Sequence, residues 1–83
     1  MDTRVACITI IVQNMESVEK MNALLHEAAQ YIIGRMGIPY QKRDISVISV
    51  TMDAPSDTIS SLSGKIGMLN GVTSQVLMAK LNG

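Results

Sequence analysis

The chain has 83 residues, its seven Lys and Arg balance seven Asp and Glu, and 47% of its residues are hydrophobic. That length suits one small domain and excludes two, and the neutral balance excludes the basic excess of a nucleic-acid binder. A single cysteine, Cys7, excludes an internal disulfide and a cysteine-rich metal site, and fits a reducing cytoplasm.

With no Phe and no Trp, the core must be built from Ile, Val, Leu, Ala and Met, and the seven methionines imply an adaptable packing surface. Residues 5–12, "VACITIIV", form a short β-branched run. It predicts a strand buried on both faces and therefore central in a sheet. The run is too short to span a bilayer, and no small-residue cleavage site follows it.

Asn14 and Ser17 offer helix caps, with Glu16 and Glu19 where the helix dipole favours anions. Val18, Met21, Leu24, Leu25 and Ala28 recur at helical spacing, which predicts an amphipathic helix over about 16–30. Residues 31–40 return to strand composition, 41–44 ("QKRD") make a polar turn, and 45–52 alternate as a third strand, giving a hairpin. Residues 53–57 ("DAPSD") start a second helix carrying Ile59, Leu62, Ile66 and Leu69, with the proline tolerated in its first turn. Asn70-Gly71 stops it, glycine supplying the left-handed conformation, and 72–79 form the fourth strand.

The order β-α-β-β-α-β predicts an α+β, ferredoxin-like sandwich over residues 1–83, a single domain whose antiparallel sheet carries both helices on one face. Strands 1 and 3 would be central and strand 2 an edge, where Pro39 costs no inward hydrogen bond. Gly34 and Gly37 suit a bulged, strongly twisted edge. Strand 1 is apolar on both sides, Val5, Cys7 and Ile11 against Ala6, Ile8, Ile10 and Val12, so whichever face is helix-free is too apolar for a monomer and the chain is expected to form a homodimer or homotetramer.

"IIGRMGI" superficially matches the loop of KH domains, but that loop joins two helices, and Ile38 before Pro39 is pushed away from helix. The central strands lack the stacking aromatics of an RRM. "SGKIG" lacks the first glycine and the hydroxyl residue of a P-loop; Gly64 and Gly67 are read instead as allowing close helix–sheet approach. His26 and Cys7 are the only soft metal ligands, and His26 reads as a surface or packing residue, so no metal and no cofactor is expected. Capping explains Asp53 and Asp57. One His supports no catalytic constellation, and no residue is assigned a catalytic role. Arg35 is the sharpest site candidate: a fork donor between glycines suits a carboxylate or phosphate, against a solvated edge-strand arginine as the plain alternative.

Taken together, "ESVEKMNALLHE", "YIIGRMGIPYQKRDISVISV" and "DTISSLSGKIGMLNGV" resemble the small regulator-like proteins of the iron-only hydrogenase system, over nearly the whole chain. The resemblance implies an ACT-like, ferredoxin-like fold, similar to the C-terminal half of nickel-responsive regulators. No ribbon-helix-helix segment precedes Val5, so no direct DNA binding is expected, and the His and Cys cluster that would carry over nickel sensing is absent. In ACT-like domains ligands lodge at subunit interfaces, near the loop after strand 1 and the start of strand 2. That analogy implies a ligand site at Asn14, Met15, Gly34, Arg35, Met36 and Gly37. The implied function is a non-enzymatic, cytoplasmic regulatory module whose partners are its own copies, a small anionic ligand, or a hydrogenase-system protein, and neither nucleic acid nor membrane. The alternatives are an oligomeric assembly or scaffold protein without a small ligand and, more distantly, a small α+β-barrel enzyme.

Overall fold

The computed structural model describes residues 2–80. Strand β1 (Arg4–Val12) leads through a short 3-10 turn into helix α1 (Val18–Glu27). Strands β2 (Ile32–Tyr40) and β3 (Ile45–Ala54) make the hairpin, and helix α2 (Ser56–Gly67) precedes β4 (Val72–Met78). The four strands form one antiparallel sheet in the order β2-β3-β1-β4. This is the ferredoxin-like sandwich the element order predicts, with β1 and β3 inside and β2 at an edge.

Alternation along the strands sorts the sheet into two faces. Ala6, Ile8, Ile10 and Val12 of β1 and Ile48, Val50, Met52 and Ala54 of β3 are all buried. They form a single cluster with Met21, Leu25 and Ala28 from the α1 segment and Ile59, Leu62 and Ile66 of α2, so both helices cover the same face. Each fully buried Ile, Leu or Met contributes about 1.5–3 kcal/mol by leaving water. Ser63 Oγ lies 2.7 Å from Ser74 Oγ and ties α2 to β4.

Several local expectations are corrected. Helix α1 is shorter than 16–30, because Asn14 Oδ1 accepts from the Glu16 amide (3.0 Å) and caps a separate 3-10 turn at Met15–Ser17. Ser17 makes no capping bond; its buried hydroxyl donates instead to the Asn70 carbonyl (2.6 Å). A second 3-10 turn, Ala29–Tyr31, follows α1. Asp53 is not at a helix start: it continues β3 opposite Val5. Pro55 sits at the N-cap of α2, not inside its first turn, and Asp57 makes no side-chain cap there. Gly64 and Gly67 are not demanded by close packing. A Cβ at Gly64 would meet nothing within 4 Å, and one at Gly67 would make ordinary 3.7 Å contact with the Ser74 Cβ.

The helix-free face also differs from expectation. Its cross-strand rows run Ile38–Val47–Ile11–Thr73, Met36–Ser49–Thr9–Gln75 and Gly34–Thr51–Cys7–Leu77. The middle row is largely hydroxyl and amide, and Cys7 Sγ lies 3.2 Å from Ser49 Oγ. The apolar surface is therefore interrupted. No Lys, Arg, His, Asp or Glu occupies any of those positions; the next pair on the same face, Val5–Asp53, brings an exposed carboxylate.

Candidate functional site

Strand β2 decides what "GRMG" is. It is a nine-residue edge strand, exposed along nearly its whole length. Neither Gly34 nor Gly37 has a positive φ. Around Gly34 a Cβ would meet nothing within 4 Å, and at Gly37 it would meet Ile48 Cγ1 at 3.8 Å. Sterics therefore do not demand either glycine; they leave bare backbone on both sides of Arg35 and Met36.

The register shifts between Ile32 and Gly34, which makes Ile33 an extra, bulged residue, 64% exposed. Strict alternation would put Ile32 and Arg35 on opposite faces. The bulge cancels one step. Ile32 pairs with Met52 and Arg35 with Val50, both core residues, so both side chains lie on the helix side. Met36 pairs with Ser49 and lies on the helix-free side, 62% exposed.

Arg35 reaches α1, where its guanidinium donates to Asn22 Oδ1 at 3.2 Å. The two residues line a hollow of about 290 Å³ with Leu25, His26, Ala29 and Ile32. Asn14 and Met15 lie elsewhere. Asn14 lines a separate cavity of about 310 Å³ with Ser17, Lys20 and Asn70, and Met15 is 54% exposed. Within one chain, the six residues implied as a site thus do not converge: Gly34 and Gly37 lie in the β2 backbone, Arg35 is on its helix side, Met36 is on the opposite face, and Asn14 and Met15 follow β1. Asn22 escaped the sequence reading, and His26 was weighed there only as a metal ligand and not placed beside Arg35. The available signal was their i, i+4 spacing, which puts them on one flank of a helix.

A third hollow, about 320 Å³, lies between the helices over Leu24, Ala28 and Leu62. Its rim mixes Glu27 and Asp57 with Lys65 and favours neither sign. Among the described residues no three His, Cys, Asp or Glu side chains gather to hold a metal. No described helix is long and apolar enough to cross a membrane.

Residues 4–76 match the family model described as "TM1266-like: Iron-only hydrogenase system regulator, putative". Among solved structures, the uncharacterized protein TM1266 from Thermotoga maritima is 30% identical and superposes with a TM-score of 0.91, over 95% of this chain and 100% of that one. A second, CPII, a nitrogen regulatory PII-like protein from Thiomonas intermedia K12 solved with ADP, AMP and bicarbonate, is 13% identical with a TM-score of 0.49, over 96% of this chain and 100% of that one. No curated protein matches the chain.

Proposed function

The chain belongs to the TM1266-like family of iron-only hydrogenase system regulators, and from that membership we propose that it is a non-enzymatic, ACT-like regulatory module that works as a homo-oligomer in the cytoplasm. The observation that carries this reading is the helix-free sheet face. Its three rows hold no charged side chain, and they expose Met36 (62%), Ile38 (51%) and Leu77 (76%). Surfaces left in water are normally charged, and these rows carry neutral side chains alone, with exposed apolar groups on either side of a hydroxyl and amide row. A second copy laid on these three rows, as a dimer or half of a tetramer, covers them without burying an unpaired ion, with Asp53 left at their margin.

A small anionic ligand is the signal such a module would read. Arg35 supplies the cation, Gly34 and Gly37 the open backbone beside it, and Met36 the interface side of the same strand. Asn14 and Met15 can join that site only if a neighbouring subunit brings them. A hydrogenase-system protein is the downstream partner of this reading. The rival is a scaffold protein with no small ligand, favoured by one observation: Arg35 already has a neutral partner in Asn22 and is exposed.

Sedimentation with native mass spectrometry, alongside thermal shift across a panel of anionic metabolites, tests both. An oligomer stabilised by at least one anion supports the module. An oligomer indifferent to every anion supports the scaffold, and a monomer overturns both.

A further inference from the structure

The hollow between α1 and β2 has a donor set of one kind. Asn22, His26 and Ala29 follow at steps of four and three and make one stripe along the α1 segment; Arg35 and Ile32 rise to it from β2. Arginine has donors only, so the contact with Asn22 must use that amide's oxygen. The Asn22 NH2 is left to donate elsewhere. One of five guanidinium N–H donors is spent on a neutral group, and no carboxylate lines the hollow, so the positive charge of Arg35 is not neutralised there. The His26 ring carries at least one further N–H. The remaining wall is apolar: Leu25, Ala29 and Ile32.

We propose that this hollow binds a small organic carboxylate with a short aliphatic body. Arg35 holds the carboxylate through its planar fork, the Asn22 NH2 and a His26 N–H donate to the remaining oxygen lone pairs, and the chain of the ligand lies on Leu25, Ala29 and Ile32. The fork matches a carboxylate geometrically, whereas a bare phosphate would leave the apolar wall unused. This assignment rests on the ligand-sensing reading above and narrows it, because the site is complete within one chain and owes nothing to Asn14, Met15 or a second copy.

The test is a titration of 15N-labelled protein with butyrate, with butylamine and inorganic phosphate as comparisons. Butyrate should give saturable shifts at the Arg35 Nε–H and the Asn22 side-chain amide. Arg35→Ala should weaken it at least about 10-fold, the loss of one charge-assisted hydrogen-bonded pair. Asn22→Leu should weaken it less, and butylamine should give no saturable shift. The proposal is overturned by no saturable shift with butyrate, by shifts that persist in Arg35→Ala, or by tighter binding of phosphate than of butyrate. Repeating the titration on the chain made monomeric by Ile11→Glu separates this site from the wider reading. Retained binding supports a one-chain site. Lost binding places the ligand at the subunit interface, overturning this proposal while leaving the regulatory module intact.

Discussion

Gly71 and Asn14 meet at one corner of the sandwich, where β1 ends and β4 begins. The Gln13 amide donates to the Gly71 carbonyl at 2.7 Å, and a Cβ built on Gly71 would sit 2.6 Å from the Asn14 Cβ and 3.0 Å from the Asn14 nitrogen. Gly71 also has φ +71°, the left-handed region. Gly71→Ala therefore carries two penalties: about 1–2 kcal/mol for the backbone conformation and about 1–3 kcal/mol for the forced overlap. Urea denaturation should show a fall in midpoint corresponding to at least about 2 kcal/mol. A loss below about 0.5 kcal/mol, the usual range for an innocuous surface change, would mean the corner is looser than described.

Gly64 is the opposite case. It lies inside α2, exposed, with free space where a Cβ would go. Gly64→Ala should stabilise the chain by about 0.5–1 kcal/mol by removing backbone freedom from the unfolded state. In a domain of this size that raises Tm by about 2–8 °C. An unchanged or lower Tm in a calorimetric scan would show that Gly64 has a packing role in the assembled protein.

Ser17→Ala should cost about 1–3 kcal/mol, because the Asn70 carbonyl would lose its hydroxyl donor at a site where Ser17 is only 5% exposed. Ser17→Thr keeps the hydroxyl and isolates that bond from the side-chain volume. The bond matters to the stability described here if the alanine variant alone shows a large drop in unfolding free energy.

The strands were legible because β1 and β3 are rich in β-branched residues and turn residues bound all four, and Pro39 and the burial demand of β1 fixed their order. The length of α1 was not legible. Its start is set by the separate 3-10 turn at Met15–Ser17, capped by Asn14, which a helical repeat of apolar residues does not distinguish from a first helical turn. Asp53 looked like a cap because it stands two residues before Pro55, yet its backbone belongs to the β1 ladder opposite Val5. Arg35 was singled out by its glycine neighbours, but its direction depends on the bulge at Ile33, which reverses the alternation seen from Ile32. The predicted apolar open face was overdrawn because Thr9 and Ser49 meet in its middle row. Asn22 and His26 needed that reversed direction before they could be connected with Arg35.

The last prediction concerns the three uncharged rows of the helix-free face. Ile11 sits in the row Ile38–Val47–Ile11 and is 37% exposed in the single chain. Ile11→Glu should therefore fold, with the carboxylate in water, if the chain stands alone. In a sheet-to-sheet dimer the two-fold axis would repeat the substitution on both partners. Neither carboxylate would find a cation, since the surrounding rows hold none, and an unpaired buried charge is strongly unfavourable. Association should weaken by at least about 100-fold, the equivalent of about 2.7 kcal/mol. Lys20→Glu, on the exposed side of α1, should leave it unchanged. Sedimentation velocity over a concentration series decides the matter. The expected pattern is a wild-type oligomer, a monomeric Ile11→Glu variant with an unaltered far-UV spectrum, and a Lys20→Glu variant indistinguishable from wild type. An Ile11→Glu protein that stays oligomeric would move the interface off this face, and the exposed edge of β2 would then be the next surface to test.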